Sequence, residues 1–233
     1  MGKVIYPRKG EVHTAPSAIP SVFADATWAQ IIECCETNTV PDTWAVGDQK
    51  AMTINGTDYL IDIIGKNHDE YSEGSGYAPL TFQLHDCYAT TYQMTSGNTN
   101  SGGWTNCVMR TTTLPSILAL MPSEVQNGIK EVNKLTSAGS RSSTINTTAD
   151  KLFLLSEIEI FGSASYSASG EGTQYVYYAA GNSKEKKKDG TAISWRERSP
   201  YKSNVIAWCF VSIDYASVGA GTELLGVAFA FCF

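Results

Sequence analysis

The stretch VIAWCFVSIDYASVGAGTELLGVAFAFCF, residues 205–233, decides the fold class. Within Leu224–Phe233 the side chains alternate: Val227, Phe229, Phe231 and Phe233 fall on one side, Ala228, Ala230 and Cys232 on the other. Neither side is polar. A strand apolar on both faces belongs between neighbours in a covered sheet, so the chain is expected to end inside a central sheet instead of fraying at the surface. Val205–Ile213 alternates in the same way, with aromatic or apolar residues on both faces. Asp214–Thr222, polar and rich in glycine, reads as the turn region between the two.

Upstream, helix and strand patterns mix, and the expected class is α+β. Trp28, Ile31, Ile32 and Cys35 share one side of a helix running from Thr27 to about Thr37, with Asp25 or Thr27 as N-cap and Pro41 beyond its end. Met52–Ile54 and Tyr59–Ile64 flank Asn55-Gly56, the pair that best tolerates the positive φ angles of a tight hairpin. Pro79–Leu84 reads as a strand, and Leu114–Met121 as a short helix with Pro115 in its first turn. Ser123–Leu135 fits a helix through Val125, Ile129 and Val132, while its later half fits an extended segment equally well. Leu152–Phe161 (LFLLSEIEIF) alternates like a strand, with Glu157 and Glu159 on one face, expected to point to solvent. Residues 1–26, with Pro7, Pro16 and Pro20, read as an extended arm, leaving 27–233 as one domain.

Composition narrows the function. A net charge of −6 opposes nucleic-acid binding, which needs a basic field to displace counterions. The one basic run, Lys184–Lys188, reads as a solvated loop between Gly181 and Gly190. No stretch approaches the ~20 apolar residues that insert across a bilayer. The N-terminus lacks the apolar core and cleavage site of a signal peptide, so synthesis in the cytoplasm is expected. Cys34, Cys35, Cys87, Cys107, Cys209 and Cys232 show no framework spacing and are expected to be reduced and buried. His68 in Asn67-His68-Asp69-Glu70 and His85 in His85-Asp86-Cys87 match no standard metal spacing; no metal and no cofactor are expected. Gly-x-Ser-x-Gly, Gly-x-Gly-x-x-Gly and P-loop patterns are missing. Trp104 and Trp195 read as core or lid aromatics. A binding role is expected in preference to catalysis.

Trp44-Ala45-Val46-Gly47-Asp48, Asn67-His68-Asp69, Gly102-Gly103-Trp104, Trp195 with Arg198-Ser199-Pro200, and Gly226–Phe233 occur in that order. From about residue 44 to the end the chain resembles the DUF6273 domains of bacteria and phages. Such domains are similar to C-type-lectin-like folds, compact α+β units whose C-terminal strands and loops carry the ligand site. The chain also resembles the variable proteins of diversity-generating retroelements, in which adenine positions are rewritten to vary a binding surface. That resemblance implies a scaffold up to about Pro200, a closing strand from Gly226, and a varied face across 201–225. Its implied contact residues are Tyr201, Val205, Ile206, Ala207, Phe210, Ser212, Ile213, Tyr215, Val218, Ala220 and Leu224. Adenine rewriting of an AAC codon cannot yield Trp, Lys or Glu, which sets Lys202, Trp208 and Glu223 apart. The implied ligand is a host-surface protein or glycan. The implied carrier is a phage tail or cell-surface structural protein, reached through the N-terminal arm, and self-association stays open. The Glu-Pro-Asn and Trp-Asn-Asp calcium motifs of sugar-binding lectins are missing. Formylglycine-generating oxidases have a similar fold, and Cys209 or Cys232 would have to serve in that alternative, with a thiol exposed in a cleft.

Overall fold

Thr27 starts the first helix as a capping box: its Oγ1 accepts from the Gln30 backbone N–H at 3.2 Å, while Gln30 Oε1 accepts from Thr27 N–H at 2.9 Å. Helix α1 (Trp28–Glu36) buries Trp28, Ile31, Cys34 and Cys35. It stops short of Pro41 because Asn38 turns left-handed at φ 53°. The computed structural model describes residues 18–233. Most of the expected arm, residues 1–17, lies outside them. Of the remainder, Phe23 is buried against Trp44 and Phe82, and Trp44 Nε1 donates to Pro20 O. Residue 27 therefore does not mark where packing begins.

Strands β1 (Gln49–Ile54) and β2 (Thr57–Gly65) form the expected hairpin, with Asn55 at φ 48° and Gly56 at φ 77°. Next come β3 (Thr81–Leu84), α2 (Gly103–Asn106), a π-helical turn at Met109–Thr113, α3 (Leu114–Leu118) and α4 (Ser123–Gly128). The ambiguous segment thus divides, helix first and then strand β4 (Val132–Ser137), which pairs with β5 (Ile145–Asp150). Gly128 lets α4 meet α1, since a Cβ there would lie 2.7 Å from Ile32 Cδ1.

Leu152–Phe161 is not a strand. Only Leu152–Phe153 pairs, as β6, and Glu157–Phe161 is helix α5, with Ser156 and Glu159 forming a second capping box. Helix α6 (Val176–Ala179) follows. The basic run is not a free loop either. Lys186–Lys188 is strand β7, paired with β8 (Thr191–Ile193), and buried Lys186 donates to Leu84 O at 2.6 Å and His85 O at 2.8 Å. The C-terminal part holds β9 (Trp195–Pro200), β10 (Ala207–Ser212), β11 (Tyr215–Ala220) and β12 (Ala230–Cys232). The expected turn region Asp214–Thr222 is mostly strand, because the reversal needs only Ile213 and Asp214.

The fold is α+β. One antiparallel sheet has the order β1-β2-β3-β12-β6, and another β11-β10-β9. The closing strand is central, with Phe231 opposite Phe82 on one side and Leu152 on the other. The Phe82 and Phe231 rings stack at 5.2 Å. Trp44, Trp104, Trp195 and Trp208 are fully buried; all six cysteines are buried, and none is bonded to another. Among the described residues no helix is long and apolar enough to cross a membrane.

Candidate functional site

The expected contact face is the β10–β11 hairpin with its flanking loops. On β10, Cys209 and Val211 point inward while Phe210 and Ser212 point outward. The register carries the outward face onto β11, with Phe210 opposite Ser217 and Ser212 opposite Tyr215. At the tip and flanks stand large apolar side chains in solvent: Tyr215 is 74% exposed, Leu224 65%, Ile213 47% and Val205 43%. Tyr201, Ile206, Val218 and Ala220 are half-buried. Val218 and Ala220 sit on the inward face, opposite Cys209 and Ala207.

Ala207 is a correction. It is 8% exposed, and its carbonyl accepts from Tyr201 N–H at 3.0 Å and Asn100 Nδ2 at 2.8 Å. It anchors the loop and offers no contact surface. Trp208, Lys202 and Glu223, set apart on codon grounds, also make holding contacts: Trp208 Nε1 to Thr99 O, Lys202 Nζ to Ala164 O, and Ala220 N–H to Glu223 Oε1.

Asn100 is the site residue that the sequence did not single out. Fully buried, its Nδ2 donates to Asn204 O at 2.7 Å and to Ala207 O, its Oδ1 accepts from Ser140 N–H at 2.8 Å, and its N–H donates to Val205 O at 2.7 Å. One residue thus fixes the loop at 201–207 to the scaffold. Only its place in a Gly- and Asn-rich segment, 96-SGNTNSGGW-104, hinted at a structural turn. Asn100→Ala strands several buried groups, and is expected to lower stability by about 2 kcal/mol while loosening residues 201–207. Chemical denaturation and amide exchange read the two effects.

Arg198 of β9, Lys134 of β4 and Glu159 of α5 meet in a charged core. Lys134 Nζ donates to Asp69 Oδ1 and Glu159 Oε1, each at 2.7 Å, and to Tyr175 OH at 3.2 Å. Arg198 grips both oxygens of Glu159 and reaches Leu135 O, Leu154 O and Glu171 O. Burial alone would raise Asp69 and Glu159, but Lys134 for the first, and Arg198 with Lys134 for the second, bring both below the usual carboxylate range. Every donor of Lys134 is used, so this network is closed. A cleft of about 360 Å³ opens over it, lined by His68, Tyr77, Asn133 and Thr173. His68 stacks on Tyr175 at 4.0 Å, and burial lowers its pKa.

Glu157 and Glu159 are both buried, against the expectation of a solvent-facing pair, because partners from distant segments meet them. Glu157 accepts from the Tyr166 and Ser167 backbone N–H groups. The buried carboxyl of Glu197 makes no hydrogen bond within the described residues. Burial first, then Glu157 and Glu171, push it well above the usual range.

Other arrangements are less complete. His85 Nδ1 meets the buried Asp62 carboxylate at 2.9 Å, which raises its pKa. Among the described residues no three His, Cys, Asp or Glu side chains are placed to hold a metal ion. Burial raises the Cys209 and Cys232 thiols well above their ordinary pKa, so neither is the exposed thiolate that oxidase chemistry needs.

No curated protein and no solved structure matches the chain. Residues 81–232 match the family described as Domain of unknown function (DUF6273), a span that takes in Gly102-Gly103-Trp104, the Trp195–Pro200 segment and nearly all of the closing strand and leaves out the motifs at 44–48 and 67–69. With more than half its length in that match, the chain belongs to the DUF6273 family.

Proposed function

We propose that the protein is a ligand-recognition domain of C-type-lectin-like fold. In this reading it displays a diversified face across residues 201–225 and is carried on a phage particle or cell surface through its N-terminal arm. The observation that carries the reading is the mismatch at the hairpin tip. Large apolar side chains stand in solvent there on a frame fixed by Asn100, Trp208 and the β9–β10 pairing. Exposed aromatic and aliphatic groups on a rigid support lose little entropy on binding and make typical recognition surface.

Ile213 adds a second support. It sits at φ 59°, a region that β-branched residues avoid; among the described residues the other non-glycine positions there are Asn, Ser, Arg and Asp. Asn would be at ease at this turn, and an AAC codon becomes the ATC of Ile by changing one adenine. The tip residue suits a surface selected for contact better than one selected for backbone comfort. The fold-level support is an α+β frame whose C-terminal strand returns beside the earlier strands β3 and β6.

Sibling copies from one locus are expected to differ almost only between Tyr201 and Leu225; differences spread evenly along the chain overturn the reading. Once a bacterial-surface or glycan ligand is found on a cell panel or array, Tyr215→Ala with Leu224→Ser is expected to weaken binding about 30-fold or more, as for loss of hot-spot side chains. The melting temperature should barely move, since both side chains are exposed.

A further inference from the structure

Strand β11 is the outer strand of its sheet, and among the described residues no other strand covers it. The two-residue reversal at Ile213-Asp214 makes Ser212 and Tyr215 the hydrogen-bonded closing pair. Alternation then makes Phe210 with Ser217 and Trp208 with Gly219 the next bonded pairs. Ala216, Val218 and Ala220 turn their N–H and C=O groups away from β10. At Ala220 those groups are capped: the N–H donates to Glu223 Oε1, and the carbonyl accepts from Arg196 Nη2 and Glu223 N–H. At Ala216 and Val218, among the described residues, they have no partner.

Sheet edges are usually blunted by charge, proline or cover. The β1 edge of the larger sheet follows that rule, since Lys50 of β1 reaches across to Ala24 O at 3.0 Å. Tyr215–Ala220 (YASVGA) has no charge and no proline, and its central side chains are small. Such an edge is a template for another strand.

We propose that the β11 edge pairs antiparallel with the β11 edge of a second copy of the chain, about a two-fold axis at Ser217. A second copy fits because the edge is self-complementary. With Ser217 opposite itself, Ala216 of each strand lies opposite Val218 of the other, and the open groups of one strand meet those of its mate in four hydrogen bonds. Neutrality of the segment removes local repulsion despite a net charge of −6 per chain. Asp214 and Glu223 flank the paired stretch, so salt is expected to tighten the pairing. The buried area is small, and the dimer is weak and concentration-dependent. It would set two hairpin faces side by side, a bivalent surface. The proposal stands independently of what the faces bind.

The test uses the whole chain. Sedimentation velocity up to about 1 mM is expected to show dimer growing with concentration. Ser217→Cys is expected to give a disulfide-linked dimer on mild oxidation, because a self-facing, non-hydrogen-bonded pair lies within disulfide reach. The native cysteines are buried, which keeps the background low. An exposed control at Thr57→Cys should give at least tenfold less. Val218→Pro removes an outward N–H without breaking a bond to β10, so it should fold, with an unchanged far-UV spectrum and near-unchanged melting, and remain monomeric. A monomer at all concentrations with no excess Ser217→Cys cross-linking overturns the proposal. So does a dimer that survives Val218→Pro, or one that cross-links through Ala216→Cys in preference to Ser217→Cys.

Discussion

Replacing Arg198 by Met is expected to lower stability by about 3–5 kcal/mol, the usual result of removing one partner of a buried ion pair. Arg198 is fully buried, and its guanidinium serves Glu159 bidentately, Thr136 Oγ1 at 3.0 Å, and three backbone carbonyls from separate segments. Met fills much of the volume and supplies none of those donors. Glu159 is left with Lys134 and the Ser156 N–H, and Leu135 and Glu171 lose a partner for their carbonyls. Against a total of about 5–15 kcal/mol this is a large share, and melting should fall by about 6–20 °C. Arg198→Lys should recover little, because an ammonium cannot span both oxygens of Glu159. Arg198→Met with Glu159→Met should recover much of the loss, since the uncompensated charge goes too. Urea denaturation of the three variants checks the argument. Arg198→Met within about 1 kcal/mol of the parent would show that the network does not hold the fold together.

The same network marks where the sequence could and could not be read. The closing strand was legible because both faces of Val227–Phe233 are apolar, and the Asn55-Gly56 hairpin because its backbone conformation is almost residue-specific. The helical spacing of Trp28, Ile31 and Cys35 behind a candidate cap at Asp25 or Thr27 announced α1 in the same local way, and the structure makes Thr27 the cap. Leu152–Phe161 misled because period-two alternation outweighed a capping-box pair, Ser156 and Glu159, that was present in the sequence. What buries Glu159 lies in β4 and β9, and what buries Glu157 lies in the loop at 166–167. No local pattern carries that. Lys186 was misread for the same reason, since its carbonyl partners sit about 100 residues away at Leu84 and His85. Of the expected contact face, alternation marked Val205–Ile213 as extended but, with apolar residues on both faces, did not say which residues of β10 turn inward. It did not foretell that Ala207 is an anchor or that Asn100 holds it. Polar groups that bond only across the fold are invisible to periodicity.

Stability of the parent is expected to fall as pH rises from about 4.5 to 7, and Glu171→Gln is expected to remove the part of that fall that Glu171 contributes. Burial, only partly offset by Ser199 and the Ser137 N–H, raises the Glu171 carboxyl from 4.5 to about 7. Below pH 4.5 it is protonated in both folded and unfolded chains. Between 4.5 and 7 the unfolded chain loses its proton while the folded one keeps it, so the native state binds more protons and stability drops with pH. A shift of this size corresponds to about 3 kcal/mol, fully lost once pH passes 7. Asp69 and Glu159 do not cancel it: with folded pKa values held low, they contribute stability above the unfolded range and lose it only toward acid. His68 and His85 oppose each other, His68 lowered by burial and His85 raised by Asp62. Glu197, also raised well above the usual carboxylate range by burial, adds a fall of its own from about pH 4.5 upward in both proteins, so it cancels in the comparison. Gln is isosteric with the neutral acid and can still accept from the Ser137 N–H, which Glu171 Oε1 does at 2.9 Å. The variant should therefore match the parent near pH 4.5 and exceed it by about 3 kcal/mol at pH 8. Denaturation curves at pH 5, 6, 7 and 8 read the difference directly; one that stays flat across that window means Glu171 is already ionised in the folded chain.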